Sequence, residues 1–185
     1  TMDYSGLAFA NQTVGSAIGG VMVEAFEVIK KESSNSGFLG FGSSSSTRFS
    51  TVTKALSSNI KDSFTDVVVQ LVAAVSAAGT QLGASNLDID KLQNVNTGLG
   101  KVSLNGKTGA EVQDILTAVF GALGDTLAQT ILPSIAEFQK VGEGAFETLL
   151  RVAASTEYMT DRLAKLGLTL ETTGDDPVRS STPCP

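Results

Sequence analysis

Few side chains in this sequence have the type and spacing that catalysis or metal binding requires. Asp88 and Asp90 lie two residues apart, and Glu143 and Glu147 lie four apart. Paired carboxylates can bind Ca²⁺ or cleave glycosides, but calcium needs about six oxygen ligands and glycosidase carboxylates flank a cleft from different elements. No EF-type loop follows Asp88, and a single helix is expected to carry Glu143 and Glu147 one turn apart. We therefore predict that Asp88 and Asp90 lie on a solvated strand face and that both pairs are surface groups.

The residue types that are missing exclude most nucleophilic chemistry. The 185 residues include no histidine and a single cysteine, Cys184. Without histidine there is no Ser-His or Cys-His pair, no imidazole metal ligand and no imidazole base. Cys184 has no second cysteine to pair with, and no serine stands in a Gly-x-Ser-x-Gly context. The sequence therefore predicts a protein that is not an enzyme, with no catalytic residue, no metal site and no cofactor.

The charge balance and apolar content favour contacts with other proteins. Lys and Arg number 13 against 19 Asp and Glu, so the net charge is −6, which argues against specific nucleic-acid binding. Only 17% of the residues are charged and 42% are apolar, although a small domain has much surface to cover with polar groups. The longest apolar run, Val67–Gly79, is shorter than the roughly 20 residues of a membrane span. We therefore expect no membrane span, and apolar surfaces that face neighbouring proteins.

Composition and periodicity divide the chain into regions. Residues 1–20 are glycine-rich and are predicted to form a flexible or tightly packed lead-in segment. Residues 21–52 contain two strand-like stretches around a Gly/Ser-rich connector and predict a long-looped β-hairpin. Residues 53–170 predict a helical region with a short strand pair at 87–104, and residues 171–185 have the composition of an extended tail. The predicted fold class is mainly α with small β elements (α+β), assembled as an oligomer.

Three amphipathic helices are predicted within the helical region. Apolar residues recur every three or four positions from Leu56 to Val75, and again after a capping box at Thr108–Glu111. The longest stripe steps by four and three from Phe138 to Leu170, which predicts a coiled-coil seam between copies, with three as the expected number. The alternative is an amphipathic helix that packs on its own core. The predicted seam residues are Phe138, Ala145, Leu149, Val152, Met159, Leu163 and Leu166.

The Gly/Ser-rich connector contains three large apolar side chains, Phe38, Leu39 and Phe41. Solubility alone would favour polar residues at such a position. We predict that these side chains form a partner-contact loop. Packing onto helices of the same chain and insertion into a membrane are the alternatives.

Three stretches of the chain have a recognisable character: Gly100–Glu111 (GKVSLNGKTGAE), Ala118–Asp125 (AVFGALGD) and Phe138–Ala153 (FQKVGEGAFETLLRVA). They resemble the tape measure proteins of long-tailed bacteriophages or prophages, specifically a C-terminal region of them. The serine-rich connector after Lys30-Lys31 is also similar to that family. Together the resemblance spans roughly residues 20–168.

The resemblance implies a structural virion protein. Members of the family extend along the tail lumen, set its length, and leave the tube ahead of the DNA, with the C-terminal part toward the host-proximal tip. It implies assembly in the host cytoplasm as a homo-oligomer, contact with tail-tip, baseplate hub and distal tail proteins, and possible host membrane contact during genome ejection. The long coiled coil of a full tape measure is missing, so length determination is not expected here. An oligomeric bacterial surface or secretion-system translocator protein is the alternative, and a muralytic domain lacks candidate residues.

Overall fold

The structure, a computed structural model, describes residues 4–35 and 44–165. Its strands are Tyr4–Phe9 (β1), Val23–Asn35 (β2), Ser44–Ala55 (β3) and Lys101–Ser103 (β4). Its α-helices are Val14–Gly19 (α1), Ser58–Gln81 (α2), Asn86–Leu92 (α3), Gly109–Ile131 (α4) and Ala145–Lys165 (α5), and a 3-10 helix spans Pro133–Phe138. Helices predominate beside one small antiparallel sheet, which confirms the predicted mainly α class with small β elements.

The sheet has the order β3-β2-β1-β4, and every neighbouring pair is antiparallel. The predicted β-hairpin is confirmed, since β2 and β3 pair continuously from Glu24↔Ala55 to Asn35↔Ser44. This ladder is longer than predicted and includes serines that were assigned to the connector. Phe38, Leu39 and Phe41 lie outside the described residues, so the partner-contact loop stays a prediction.

The hairpin of β2 and β3 is the longest part of the described sheet. The described pairing of β1 with β2 reaches Glu27, opposite Tyr4, which is the first described residue. The pairing of β2 with β3 continues to Asn35. The eight strand residues after Glu27 correspond to about 25 Å. We call this part, residues 28–35 and 44–51, the hairpin arm.

The residues predicted as a flexible or tightly packed lead-in form a packed part of the fold. They contain β1 and α1, and Phe9, Val14 and Ala17 are buried in the core. The glycines there serve close packing: a Cβ at Gly15 would lie 3.1 Å from the carbonyl oxygen of Gln93. A small-residue composition therefore marks a tightly packed element and not a linker.

The predicted strand pair at 87–104 is wrong in its first half. Asn86–Leu92 is the helix α3, whereas Lys101–Ser103 is the strand β4 and pairs with β1. The hydroxyl of Ser85 accepts a hydrogen bond from the amide of Asp88, whose carboxylate accepts one from the amide of Ser85. This capping box satisfies two amide donors at the helix start and overrides the alternating pattern of residues 87–90. The pKa of Asp88 is lowered to about 2. The hydrogen bond from the Lys91 ammonium is the largest cause, and the hydrogen bonds from Ser85 follow.

The core joins the sheet to three long helices, α2, α4 and α5, which all contact one another. The predicted helices starting near Leu56 and at the Thr108 capping box are both confirmed. Phe9 of β1 meets Phe64 of α2 and Phe120 of α4, with ring centroids 5.3 and 6.1 Å apart, and the two helical rings stack at 5.8 Å. Aromatic pairs at such distances add stability beyond the area they bury. This cluster therefore fixes α2 and α4 against the sheet.

We predict that two helical glycines respond in opposite ways to substitution. A Cβ at Gly79 would lie 2.4 Å from Cδ1 and 2.9 Å from Cγ1 of Ile131, whereas a Cβ at Gly121 meets nothing within 4 Å. Gly79→Leu should lower the free energy of unfolding by about 1–3 kcal/mol through overpacking. Gly121→Ala should raise it by about 0.5–1 kcal/mol, because alanine is the better helix former. Urea unfolding followed by circular dichroism measures both, and equal effects would contradict the close α2–α4 approach.

Candidate functional site

Glu143 and Glu147, the predicted surface pair, lie in different surroundings. Glu147 is exposed in the first turn of α5, but Glu143 precedes the helix, so the prediction that one helix carries both is wrong. Four hydrogen bonds occupy the carboxylate of Glu143. It accepts them from Arg151 Nε at 2.7 Å, Arg151 Nη2 at 2.8 Å, Thr148 Oγ1 at 2.9 Å and the amide of Lys140 at 3.1 Å. A carboxylate with so many donors holds structure in place and is poorly suited to act as a base.

The ion pair between Glu143 and Arg151 ties together the segment that precedes α5. The hydrogen bonds from Arg151 lower the pKa of Glu143 from 4.5 to about 2, and Glu143 raises the pKa of Arg151. Nη2 of Arg151 also donates to the carbonyl oxygen of Phe138 at 2.7 Å. The end of the 3-10 helix, the following turn and the second turn of α5 are thereby joined through one guanidinium group. We call this set the Glu143 clamp.

A second carboxylate fixes the start of α5 from a different helix. Asp125 Oδ1 in α4 accepts a hydrogen bond from the amide of Phe146 at 2.8 Å. Carboxylates at this position satisfy a free helical amide and interact favourably with the helix dipole. A Cβ at Gly144 would lie 2.6 Å from Oδ1 of Asp125, and one at Gly124 would lie 3.1 Å from the ring of Phe146. Both glycines are therefore needed for the close approach of α5 to α4.

The described residues of the predicted seam do not lie along one exposed stripe. Ala145 and Leu149 are buried within the core of their own chain, and Val152 packs against that core, so an intermolecular seam is wrong for Ala145 and Leu149. Phe138 is 54% exposed and belongs to the 3-10 helix. The continuous stripe from residue 138 is thus broken, and α5 begins only at residue 145. Met159, Leu163 and Leu166 lie outside the residues whose side chains are described.

An apolar groove lies between the N-terminal halves of α2 and α4. Its volume is about 700 Å³, and α5 contributes to it only Phe146 and Glu147 from its first turn. Among the described lining residues, Glu147 is the one with a charged side chain. We call this feature the α2–α4 groove. Its apolar side chains are Phe64, Val67, Leu71, Val112, Leu116, Phe120 and Phe146.

The α2–α4 groove has the character of a binding surface for apolar side chains. Acid–base catalysis needs a titratable group within hydrogen-bond reach of the reacting atoms, and this lining offers a single carboxylate at its edge. Helical periodicity alone could not predict the groove, because its positions resemble any core-facing stripe. The signal that could have found it is the glycine pair Gly142 and Gly144, which delays the start of α5.

Elsewhere in residues 4–35 and 44–165 no cluster of three or more His, Cys, Asp or Glu side chains could hold a metal ion. Asp88 and Asp90 lie in α3, where Asp88 serves the capping box. α2 is long and apolar enough to cross a membrane, by length and composition alone. The expectation that no segment spans a membrane stays a prediction. In the described structure α2 buries Val68 and Val75 in the protein core.

The chain matches no protein-family model, no curated protein sequence and no solved structure.

We predict that the Glu143 clamp stabilises the fold in a pH-dependent manner. Because folding lowers the pKa of Glu143 from 4.5 to about 2, its contribution is present above pH 4.5 and is lost as the pH falls toward 2. Glu143→Gln should lower the melting temperature at neutral pH, and the difference from the wild type should shrink across this acidic range. Glu137→Gln, at an exposed site in the 3-10 helix, is the control. A difference that stays constant with pH would contradict the clamp.

We predict that the carboxylate of Asp125 is needed at the start of α5. Asp125→Ala should lower the free energy of unfolding by about 1 kcal/mol, the usual cost of removing a cap. Asp114→Ala, at an exposed site in the same helix, should have little effect. Chemical denaturation monitored by circular dichroism compares the two variants. Gly144→Ala provides a second test, because its Cβ would displace the carboxylate of Asp125. Wild-type stability in that variant would contradict the role of Asp125 as a cap.

Proposed function

We propose that this chain is the tip-proximal, C-terminal part of a bacteriophage tail tape measure protein. In this role it lies in the tail lumen near the host-proximal end and contacts tail-tip and baseplate proteins. It takes part in tail assembly and genome ejection and performs no catalysis. Length determination belongs to parts of such a protein outside this segment.

The segments that carry the resemblance support the proposal because they pack together. Asp125 and Gly124 belong to the stretch AVFGALGD, and both meet Phe146 of the stretch FQKVGEGAFETLLRVA. The stretch FQKVGEGAFETLLRVA also contains the whole Glu143 clamp. Two of the stretches that carry the resemblance thus form one local structural unit, the α4–α5 junction.

The edge of β3 is the observation that carries the assembly role. Within the described residues β3 pairs on one side only, with β2, along its full length. A long unpaired strand edge is a liability for a lone protein and a template for pairing with a neighbour. Val28 and Val52 add exposed apolar side chains near the base of the arm. An element of this kind suits a protein that is held among other subunits.

The acidic balance of the chain agrees with a place in the tail lumen. DNA must slide past a lumen protein, and a net charge of −6 avoids the attraction that a basic surface would exert on phosphates. This supports the location without identifying the neighbours.

The location can be tested on tail particles purified from the source bacterium. Peptides of this chain should sediment with intact tails in a density gradient. They should resist added protease until the tails are triggered to eject. Cross-linking mass spectrometry should then join its exposed lysines, such as Lys54, to tail-tip proteins. Absence of the chain from purified tails, or cleavage by protease in intact ones, would refute the proposal.

α2 favours one alternative, a surface or secretion-system translocator, because its length and composition suffice for a membrane span. Flotation with liposomes separates the two functions. The full chain should stay at the bottom of the gradient if it acts inside a tail before ejection. Flotation of the folded chain without any tail component would favour the translocator.

A further inference from the structure

The α2–α4 groove has the dimensions of a site for one helix. On α4 its lining runs from Gly109 to Gly121, which corresponds to about 18 Å of helix. Val67 at its edge is 37% exposed, and Leu116 is only partly buried. A long apolar groove between two helices is the usual receptor for the apolar face of an amphipathic helix.

The charges around the groove specify which kind of helix fits. Glu147 lines it, and neither Lys nor Arg does. Exposed Asp66 and Asp114 adjoin the lining residues Val67 and Gln113 in sequence. A helix that presents an apolar stripe with cations beside it would complement this acidic surrounding.

The second half of α5 has that pattern. α5 continues for nine residues after Thr156, to Lys165. Met159 and Leu163 stand one helical turn apart in this part, and the sequence places Arg162 and Lys165 to one side of their stripe.

The groove and the second half of α5 cannot meet within one chain. Phe146, in the first turn of α5, is one of the lining residues of the groove. Leu163 stands 17 residues farther along the same helix, about 25 Å away. A continuous helix cannot fold back on itself, so a second half of α5 that occupies the groove has to come from a second molecule.

We infer that the second half of α5 of one copy docks in the α2–α4 groove of a second copy. Each copy then offers a groove at one place and a helix at another, so the contact is heterologous and can continue around a closed ring. This arrangement differs from the parallel seam, in which identical residues face one another. It goes beyond the proposed function, since it concerns self-association alone and requires no phage component.

Two exposed valines of α2 provide a matched test. Val67 lines the groove and Val69 does not, although their exposures are 37% and 39%. In light scattering of the full chain over a concentration series, the wild type and Val69→Arg should form oligomers. Val67→Arg should be monomeric, because it blocks the groove and repels Arg162 and Lys165. Leu163→Asp should also be monomeric, because it disables the helix.

Mixing the two monomeric variants gives the decisive measurement. One chain keeps an intact helix and the other an intact groove, so the mixture should form a complex of two chains. Circular dichroism checks that each variant is folded, and Thr117→Arg at the groove edge replaces Val67→Arg if that variant unfolds. A monomeric wild type, oligomers of Val67→Arg equal to those of Val69→Arg, or a mixture without complex would each overturn the inference. Since the assay contains only this chain, such a result would leave the tail-particle test of the proposed function untouched.

Discussion

The position at which α5 begins decides which apolar surface of this protein is covered. Two carboxylates set that position: Asp125 accepts the amide of Phe146, and Glu143 holds the preceding turn through Arg151. From there Ala145 and Leu149 enter the core. Within residues 4–35 and 44–165 no further helix covers the N-terminal halves of α2 and α4, and the α2–α4 groove results.

Polar and apolar contacts have separate tasks at this junction. Full burial of a leucine such as Leu149 contributes about 1.5–3 kcal/mol, which is more than a single cap of about 1 kcal/mol supplies. Burial is non-directional, however, and would tolerate a shift of α5 along its neighbours. The hydrogen bonds to Asp125 and Glu143 have defined geometry. The apolar side chains therefore supply most of the stability, and the carboxylates select one placement of the helix.

Local signals in the sequence predicted local structure well. The capping box from Thr108 to Glu111 and the hairpin were found because their determinants lie within a few residues or in an alternating stretch. At α3 two local signals competed, and the cap from Ser85 prevailed over strand-like alternation. The start of α5 depends on Asp125, a residue 20 positions away from Ala145. Helical periodicity cannot register such a contact. It therefore predicts one continuous apolar stripe across the turn before Ala145, and it does not predict the groove.

The edge of β3 and the α2–α4 groove differ in chemistry, so they do not compete for one neighbour. The edge of β3 offers backbone donors and acceptors, which are satisfied by another strand whatever its side chains. The α2–α4 groove offers apolar surface with acidic surroundings, which selects a helix by its side chains. An enzyme gains from enclosing a small molecule in one concave site, whereas a subunit in an assembly must meet several neighbours at once. The edge of β3 and the α2–α4 groove therefore support the proposed structural role.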